Sequence, residues 1–105
     1  MSQYCIYTNT NPSTKVLYPF LIDVQSSLLD SLETRLVIPL ALKSRFSDKV
    51  IKNLTPVLRV NDLEYVILTP QMAAISKKSL GELVEDCSLY RNEILSSIDF
   101  LITGF

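Results

Sequence analysis

Short runs of β-branched and aromatic residues occupy the first three quarters of the chain and predict a sheet. The runs cover residues 3–7, 16–24, 35–42, 57–60, 64–68 and 72–75. Such residues pack well on a pleated surface and are enriched in strands. Pro19 lies inside the second run, and because proline cannot donate to a strand ladder, this strand is predicted to lie at an edge or to carry a bulge. Asn61 and Asp62 separate two runs and predict a tight hairpin turn, since both tolerate a positive φ.

The last segment of the chain changes to a helical period. Apolar residues between Cys87 and Ile102 recur at steps of three and four, with polar residues on the other face. This pattern predicts an amphipathic helix of about four turns. Asp86 or Ser88 is a candidate N-cap, and Gly104 stands where a glycine would end the helix. The order of elements predicts a mainly β (α+β) fold, a small antiparallel barrel or strongly bent sheet with one C-terminal helix.

Composition narrows the range of functions. A chain of this length suits one domain, spanning residues 1–105. Ten basic residues oppose eleven acidic ones, for a net charge of -1, whereas a dedicated nucleic-acid binder normally carries a basic excess. The sequence contains no histidine and only two glycines, so it lacks the commonest general base and a glycine-rich phosphate loop. We expect neither a cofactor nor a metal ion.

Hydrophobic residues make up 48% of the chain, more than a domain of this size can bury alone, and a homodimer is the simplest arrangement that would cover the surplus. No segment reaches the length of a transmembrane helix, and the first four residues lack the basic start of a signal peptide. We therefore expect a cytoplasmic protein without membrane contacts. Cys5 and Cys87 form no CxxC pattern and are predicted to be buried thiols.

Three features of the sequence are candidate binding sites. Leu28 and Leu29 are adjacent in a polar connection, so either the loop folds over the core or one leucine is exposed for binding. The last residue, Phe105, either folds back onto the final helical turn or is displayed as an anchor. A polar loop with a possible helical turn is either solvated or meets an acidic partner or phosphates. Its basic residues are Lys43, Arg45, Lys49 and Lys52.

Several groups of residues, taken together in their order and spacing, point to a known family. They are Leu21-Ile22-Asp23-Val24-Gln25-Ser26, Arg35-Leu36-Val37-Ile38-Pro39-Leu40, Thr69 with Met72-Ala73 and Ile75-Ser76, and Arg91-Asn92 with Ile94. The ending, a helix followed by glycine and one apolar residue, belongs to the same pattern. On these residues the chain resembles CcdB, the toxin of the ccd toxin–antitoxin modules, over nearly its whole length.

The resemblance implies a homodimer built on an SH3-like barrel of five to seven strands, related to the MazF and Kid ribonuclease toxins. CcdB-like toxins are not enzymes. They bind the A subunit of DNA gyrase and trap gyrase on cleaved DNA. A CcdA-like antitoxin wraps the dimer through a disordered tail, and the pair represses its own operon, so the toxin would meet DNA only through its antitoxin or gyrase.

The resemblance also implies two sets of binding residues. The gyrase-binding positions correspond to Leu28, Leu29, Asp99, Ile102, Thr103, Gly104 and Phe105. The antitoxin-binding positions correspond to Thr8, Asn9, Thr10, Asn11, Ser13, Lys43, Arg45, Phe46 and Lys49. The family's best-known member has tryptophan at the position of Thr103 and isoleucine at that of Phe105. Threonine cannot stack on a partner's arginine as tryptophan can, so either Phe105 supplies the aromatic contact, gyrase is engaged differently, or poisoning is weak or lost.

The sequence leaves two alternatives to a gyrase poison. A ribonuclease of the MazF and Kid type would need polar residues in the barrel loops to hold phosphate and activate a 2′-hydroxyl. Arg35, Arg59, Thr69 and Ser76 are available for this role. The second alternative is a degenerate toxin that retains only antitoxin binding.

Overall fold

The computed structural model describes residues 2–46, 51 and 53–104, and within these residues it contains seven β-strands and one α-helix. The strands are β1 (Cys5–Asn9), β2 (Phe20–Asp23), β3 (Thr34–Leu42), β4 (Val57–Val60), β5 (Leu63–Ile67), β6 (Ala73–Ser76) and β7 (Leu80–Asp86), and the helix α1 is Arg91–Thr103. The predicted mainly β fold with one C-terminal helix is confirmed.

The strands form one antiparallel sheet that curls into a half-barrel. The order is β4-β5-β3-β2-β1-β7, and β6 pairs with β3 outside this row. The nine-residue strand β3 is the centre of the sheet: its first half pairs with β6 and its second half with β5, while β2 runs along its other edge. Because one strand serves two partners on the same edge, the sheet bends around it instead of continuing flat.

Alternating side chains of the sheet form the core, and the helix covers it. Fully buried residues on the inner face include Ile6, Ile22, Ile38 and Ile67, and the helix contributes Ile94 to the same cluster. Burying each such aliphatic side chain stabilises the fold by roughly 1.5–3 kcal/mol. A smaller cluster occupies the outer face. It contains Cys5, Tyr7, Leu21, Val37 and Leu80.

The prediction for the second strand was wrong in its extent and its position. β2 begins at Phe20, after Pro19, and lies between β1 and β3, not at an edge. Val16 is 75% exposed in the preceding turn. The Asn9 side-chain amide donates to the carbonyl oxygen of Tyr18 at 2.9 Å, which holds the chain in a turn up to the residue before the proline.

The two strands flanking Asn61 and Asp62 are confirmed, with φ of 50° and 68° at these two residues. The helix is confirmed but begins later than predicted, at Arg91, after a 3-10 turn over Ser88–Tyr90. The N-cap prediction was wrong, because the N-cap residue is Tyr90, without a side-chain bond, while the Asp86 carboxylate accepts from the backbone N–H of Ser88.

Strand β7 was not predicted. Its bulges against β1 shift the register twice, which breaks the alternation of apolar and polar residues that marks a regular strand. Among the described residues, no helix has the length and apolar character needed to cross a membrane.

Both cysteines are free and buried, as predicted. They belong to different clusters, with Cys5 on the outer face of the sheet and Cys87 on the inner face. Burial, reinforced by the neighbouring Glu85 carboxylate, raises the pKa of the Cys87 thiol to about 12. This thiol is therefore protonated at neutral pH, and a protonated thiol is a poor nucleophile.

Candidate functional site

The connection between β2 and β3 displays the two adjacent leucines. The Ser26 hydroxyl accepts from the backbone N–H of Leu28 at 3.2 Å and begins a 3-10 turn over Ser27–Leu29. Leu28 is 93% exposed and Leu29 is 49% exposed. Of the two alternatives for this loop, exposure is confirmed. We call residues 25–30 the leucine turn.

A buried ion pair lies next to the leucine turn. The guanidinium Nε of Arg35 donates to the Asp23 carboxylate at 2.8 Å, and both side chains are fully buried. A second guanidinium nitrogen donates to the Asp30 carboxylate at 3.1 Å, and the third donates to the carbonyl oxygen of Gln25 at 3.3 Å. Arg35 thus links the ends of the leucine turn to strands β2 and β3.

The helix tip is the second exposed feature among the gyrase-binding candidates. Gly104 ends the helix in the left-handed conformation with φ of 79°, and its N–H donates to the carbonyl oxygen of Phe100 at 2.9 Å. This confirms the predicted glycine end of the helix. Ile102 is 71% exposed, and Asp99 is exposed beside it. We call Asp99 and residues 102–104 the helix tip; Phe105 lies outside the described residues.

A buried polar contact fixes the helix to the 3-10 turn that follows β5. The hydroxyl groups of Thr69 and Ser97 lie 2.9 Å apart, and both residues are fully buried. At the tip, the Thr103 hydroxyl donates to the carbonyl oxygen of Asp99 at 2.7 Å. The Thr103 side chain is therefore bonded to its own helix, while the leucine turn and the helix tip are supported by different parts of the fold.

Two of the antitoxin candidates have structural roles in the first hairpin. The Thr8 hydroxyl accepts from the backbone N–H of Glu82 at 3.0 Å and so links β1 to β7. The buried Asn9 side chain donates to the Thr14 hydroxyl at 3.0 Å and accepts from the backbone N–H of Asn11. These two side chains shape the loop from inside.

The remaining candidates of this loop lie on the surface. Thr10, Asn11 and Ser13 are exposed. The Thr10 hydroxyl donates to the carbonyl oxygen of Ser79 at 2.8 Å, and the Asn11 side-chain oxygen accepts from the backbone N–H of Ser13 at 2.9 Å. The loop therefore presents a surface whose shape is fixed by its own hydrogen bonds.

The basic loop after β3 forms the second part of the antitoxin prediction. A 3-10 turn covers Lys43–Arg45, which confirms the predicted helical turn. Lys43 pairs with Glu64 at 3.6 Å, and both side chains are partly exposed. Together with Arg59 they line an open cavity of about 400 Å³. Phe46 packs against a third buried cluster, which contains Ala41, Val66 and Leu68, and Lys49 lies outside the described residues.

The residues proposed for ribonuclease chemistry do not form a site. Arg35 and Thr69 are fully buried, so neither can touch an RNA. Arg59 is exposed on β4, and the Ser76 hydroxyl accepts from the backbone N–H of Lys78. Among the described residues, no group of three or more cysteines, aspartates and glutamates is arranged to hold a metal ion.

The sequence did not predict the contacts made by Arg35. Its neighbour Asp23 lies twelve residues away in the chain, and the two meet only because β2 and β3 pair. The sequence signal was the presence of two charged residues within otherwise apolar strands, since such residues are rarely fully buried unless they are paired.

The large apolar side chains exposed at the leucine turn and the helix tip, Leu28 and Ile102, are candidate contacts for a partner protein. A model of the CcdB protein family matches residues 3–104. The chain therefore belongs to the CcdB family, and it is a toxin of a toxin–antitoxin module.

Proposed function

We propose that this toxin binds the A subunit of DNA gyrase through its leucine turn and helix tip and holds the enzyme on cleaved DNA. The observation that carries the proposal is the exposure of Leu28 and Ile102, 93% and 71% respectively, on segments whose backbones are fixed by hydrogen bonds. Large apolar side chains on rigid supports are the usual anchors of a protein interface.

The proposed mechanism requires no catalytic residue in the toxin. A ligand shifts a conformational equilibrium only by its difference in affinity for the two states. If the toxin contacts a gyrase surface that is open while the DNA is cut, binding stabilises the cleaved state and slows religation. A toxin homodimer would present two helix tips to the two A subunits of gyrase, with matching two-fold symmetry.

Thr103 and Phe105 determine how strong this binding is. The Thr103 hydroxyl is bonded to the Asp99 carbonyl oxygen, and its side chain is too small to bury the area that a tryptophan would cover. We therefore assign the aromatic contact with gyrase to Phe105. Gly104, with φ of 79°, redirects the chain after the helix and places no side chain between these two residues.

The antitoxin is proposed to bind a second set of loops. Thr10, Asn11 and Ser13 supply exposed polar groups. Arg45 supplies positive charge, and Lys43 supplies it beside its partner Glu64. An acidic, disordered antitoxin tail fits such a surface, because charge complementarity steers the encounter while ordering of the tail lowers the net affinity. We propose the cytoplasm as the site of action, because DNA gyrase and the antitoxin would both be met there.

A plasmid cleavage assay tests the gyrase proposal. Supercoiled plasmid, gyrase and ATP are incubated with the toxin, and linear DNA is measured after treatment with detergent and protease. We expect linear DNA with the natural sequence. Leu28→Ala should require at least about ten-fold more toxin, the loss of about 1.4 kcal/mol for an interface anchor. Leu63→Ala is the matched control, since Leu63 is exposed on a different hairpin.

The assay also separates the alternatives. Gyrase binding without linear DNA would contradict trapping and identify an inhibitor, whereas antitoxin binding without gyrase binding would identify a degenerate toxin. Neither binding nor cleavage, together with cutting of a purified RNA, would contradict the proposal in favour of a ribonuclease.

A further inference from the structure

The Gln25 side chain joins the leucine turn to the central strand. Its amide nitrogen donates to the carbonyl oxygen of Leu29 at 3.2 Å, and its amide oxygen accepts from the backbone N–H of Leu36 at 3.0 Å. The backbone N–H of Gln25 also donates to the Asp23 carboxylate at 2.9 Å. One side chain therefore connects the far end of the turn to β3, while its own backbone is bonded to the buried ion pair.

Two cations complete this set of contacts. Arg35 donates to the carbonyl oxygen of Gln25 and to the Asp30 carboxylate, and the Lys77 ammonium group donates to the carbonyl oxygen of Asp30. The backbone N–H of Lys77 in turn donates to the carbonyl oxygen of Glu33 at 3.0 Å. The turn is thus attached to the sheet at Gln25, Leu29 and Asp30, which lie on both sides of Leu28.

These contacts compensate for missing apolar packing. None of Ser27, Leu28 and Leu29 is buried, so hydrophobic packing contributes little to fixing the turn. Ordering the backbone of one residue costs roughly 1–2 kcal/mol. If the turn were mobile in the free toxin, a partner would have to supply this free energy on binding, and the affinity would fall.

We propose that Gln25 and Arg35 are positioning residues, which hold the leucine turn in its binding geometry before gyrase arrives. This inference rests on the proposed function, because it assigns a role within the same gyrase-binding surface. Gln25 suits the role because an amide offers a donor and an acceptor at once. Glutamate would keep the acceptor for Leu36 but would place a carboxylate oxygen against the carbonyl oxygen of Leu29.

Two variants of Gln25 test the inference in the full-length toxin. Gln25→Met keeps the size of the side chain and removes both hydrogen bonds, whereas Gln25→Glu removes only the donor. By titration calorimetry, we expect Gln25→Glu to weaken binding to the gyrase A subunit about three- to ten-fold, the effect of one lost hydrogen bond, and Gln25→Met to weaken it more, because it loses two. Gln71→Met is the matched control, because Gln71 is an exposed glutamine in another 3-10 turn.

A double-mutant cycle separates positioning from a general loss of structure. If Gln25 acts through Leu28, Gln25→Met should have little further effect on gyrase binding in a Leu28→Ala background, and the two changes should not add. Additive losses would overturn the inference, and so would unchanged binding by Gln25→Met.

Amide hydrogen exchange of the free toxin tests the inference without gyrase, and therefore independently of the proposed function. We expect the amides of Leu28 and Leu29 to exchange faster in Gln25→Met than in the natural sequence, with core amides unchanged. Unchanged exchange at these two amides would overturn the inference whatever gyrase binding shows. Faster exchange combined with normal gyrase binding by Leu28→Ala would instead contradict the proposed gyrase contact.

Discussion

At the scale of single residues, the pair of Arg35 and Asp23 is the most consequential feature of the fold. Both side chains are fully buried and lie 2.8 Å apart. Taking two charges out of water carries a penalty that only their mutual attraction and further hydrogen bonds offset. Here those further bonds exist, because the guanidinium also donates to Gln25 and Asp30. Removing one partner would leave an uncompensated charge in the interior.

Arg35→Met is therefore expected to lower the free energy of unfolding by about 3–5 kcal/mol. Urea denaturation at a fixed protein concentration measures this, since the stability of the proposed homodimer would depend on concentration. Arg59→Met is the matched control: Arg59 is an exposed arginine on β4, and its loss should change the free energy by less than about 0.5 kcal/mol. Equal effects of the two substitutions would show that the buried pair is not the source of the loss.

At the scale of elements, the hairpin of β4 and β5 shows how local chemistry sets the register. Asn61 and Asp62 both have positive φ, and the strands pair from Val60 with Leu63 onward. Such a two-residue turn matches the twist of the flanking strands, and its second position favours glycine. Asp62, with φ of 68°, is tolerated there but is not the best residue for this conformation.

We expect Asp62→Gly to stabilise the protein by about 0.5 kcal/mol. The relief of left-handed strain, roughly 1–2 kcal/mol for an ordinary residue and less for aspartate, is partly offset by the greater freedom of glycine in the unfolded chain. Asp62→Val should destabilise it, because a β-branched residue rarely adopts positive φ. Thermal unfolding gives the melting temperatures of the two variants and of the natural sequence. A valine variant as stable as the natural sequence would contradict this expectation.

Elements with a strong local signal were predictable from the sequence, and those shaped by distant pairing were not. The hairpin, the central strand and the helix follow from periodicity and turn residues within a few positions. Strand β7 was missed because its two bulges depend on its pairing with β1. In the same way, the exposure of Leu28 was one of two open alternatives. The bonds from Gln25 and Arg35 that hold its turn depend on the pairing of β2 with β3.

At the scale of the whole molecule, exposed apolar residues also occur outside the leucine turn and outside the helix. They include Leu83 on β7 and Leu89 in the turn before the helix. A monomer gains nothing from displaying them, whereas a second copy of the chain would remove them from water. This supports the proposed homodimer and separates it from gyrase binding, because different residues would serve the two contacts.

The helix tip allows this separation to be tested. Deleting residues 103–105 removes the end of the helix but leaves Ile94 and Ser97, which anchor the helix to the sheet more than one turn earlier. We expect the truncated toxin to remain folded and dimeric by light scattering. Its ability to produce linear plasmid DNA with gyrase should fall at least about thirty-fold, the loss expected for an interface hot spot of 2 kcal/mol or more.

Phe105→Ala shows how much of this loss comes from the Phe105 side chain and how much from the backbone at the helix tip. If Phe105 supplies the aromatic contact in place of the family's tryptophan, this one substitution should account for most of the loss caused by the truncation. A truncated dimer that still traps cleaved DNA would show that the helix tip is not part of the gyrase surface. A full loss in the truncation with normal activity of Phe105→Ala would move the contact to Thr103 and the Gly104 backbone, because the truncated chain still carries Ile102.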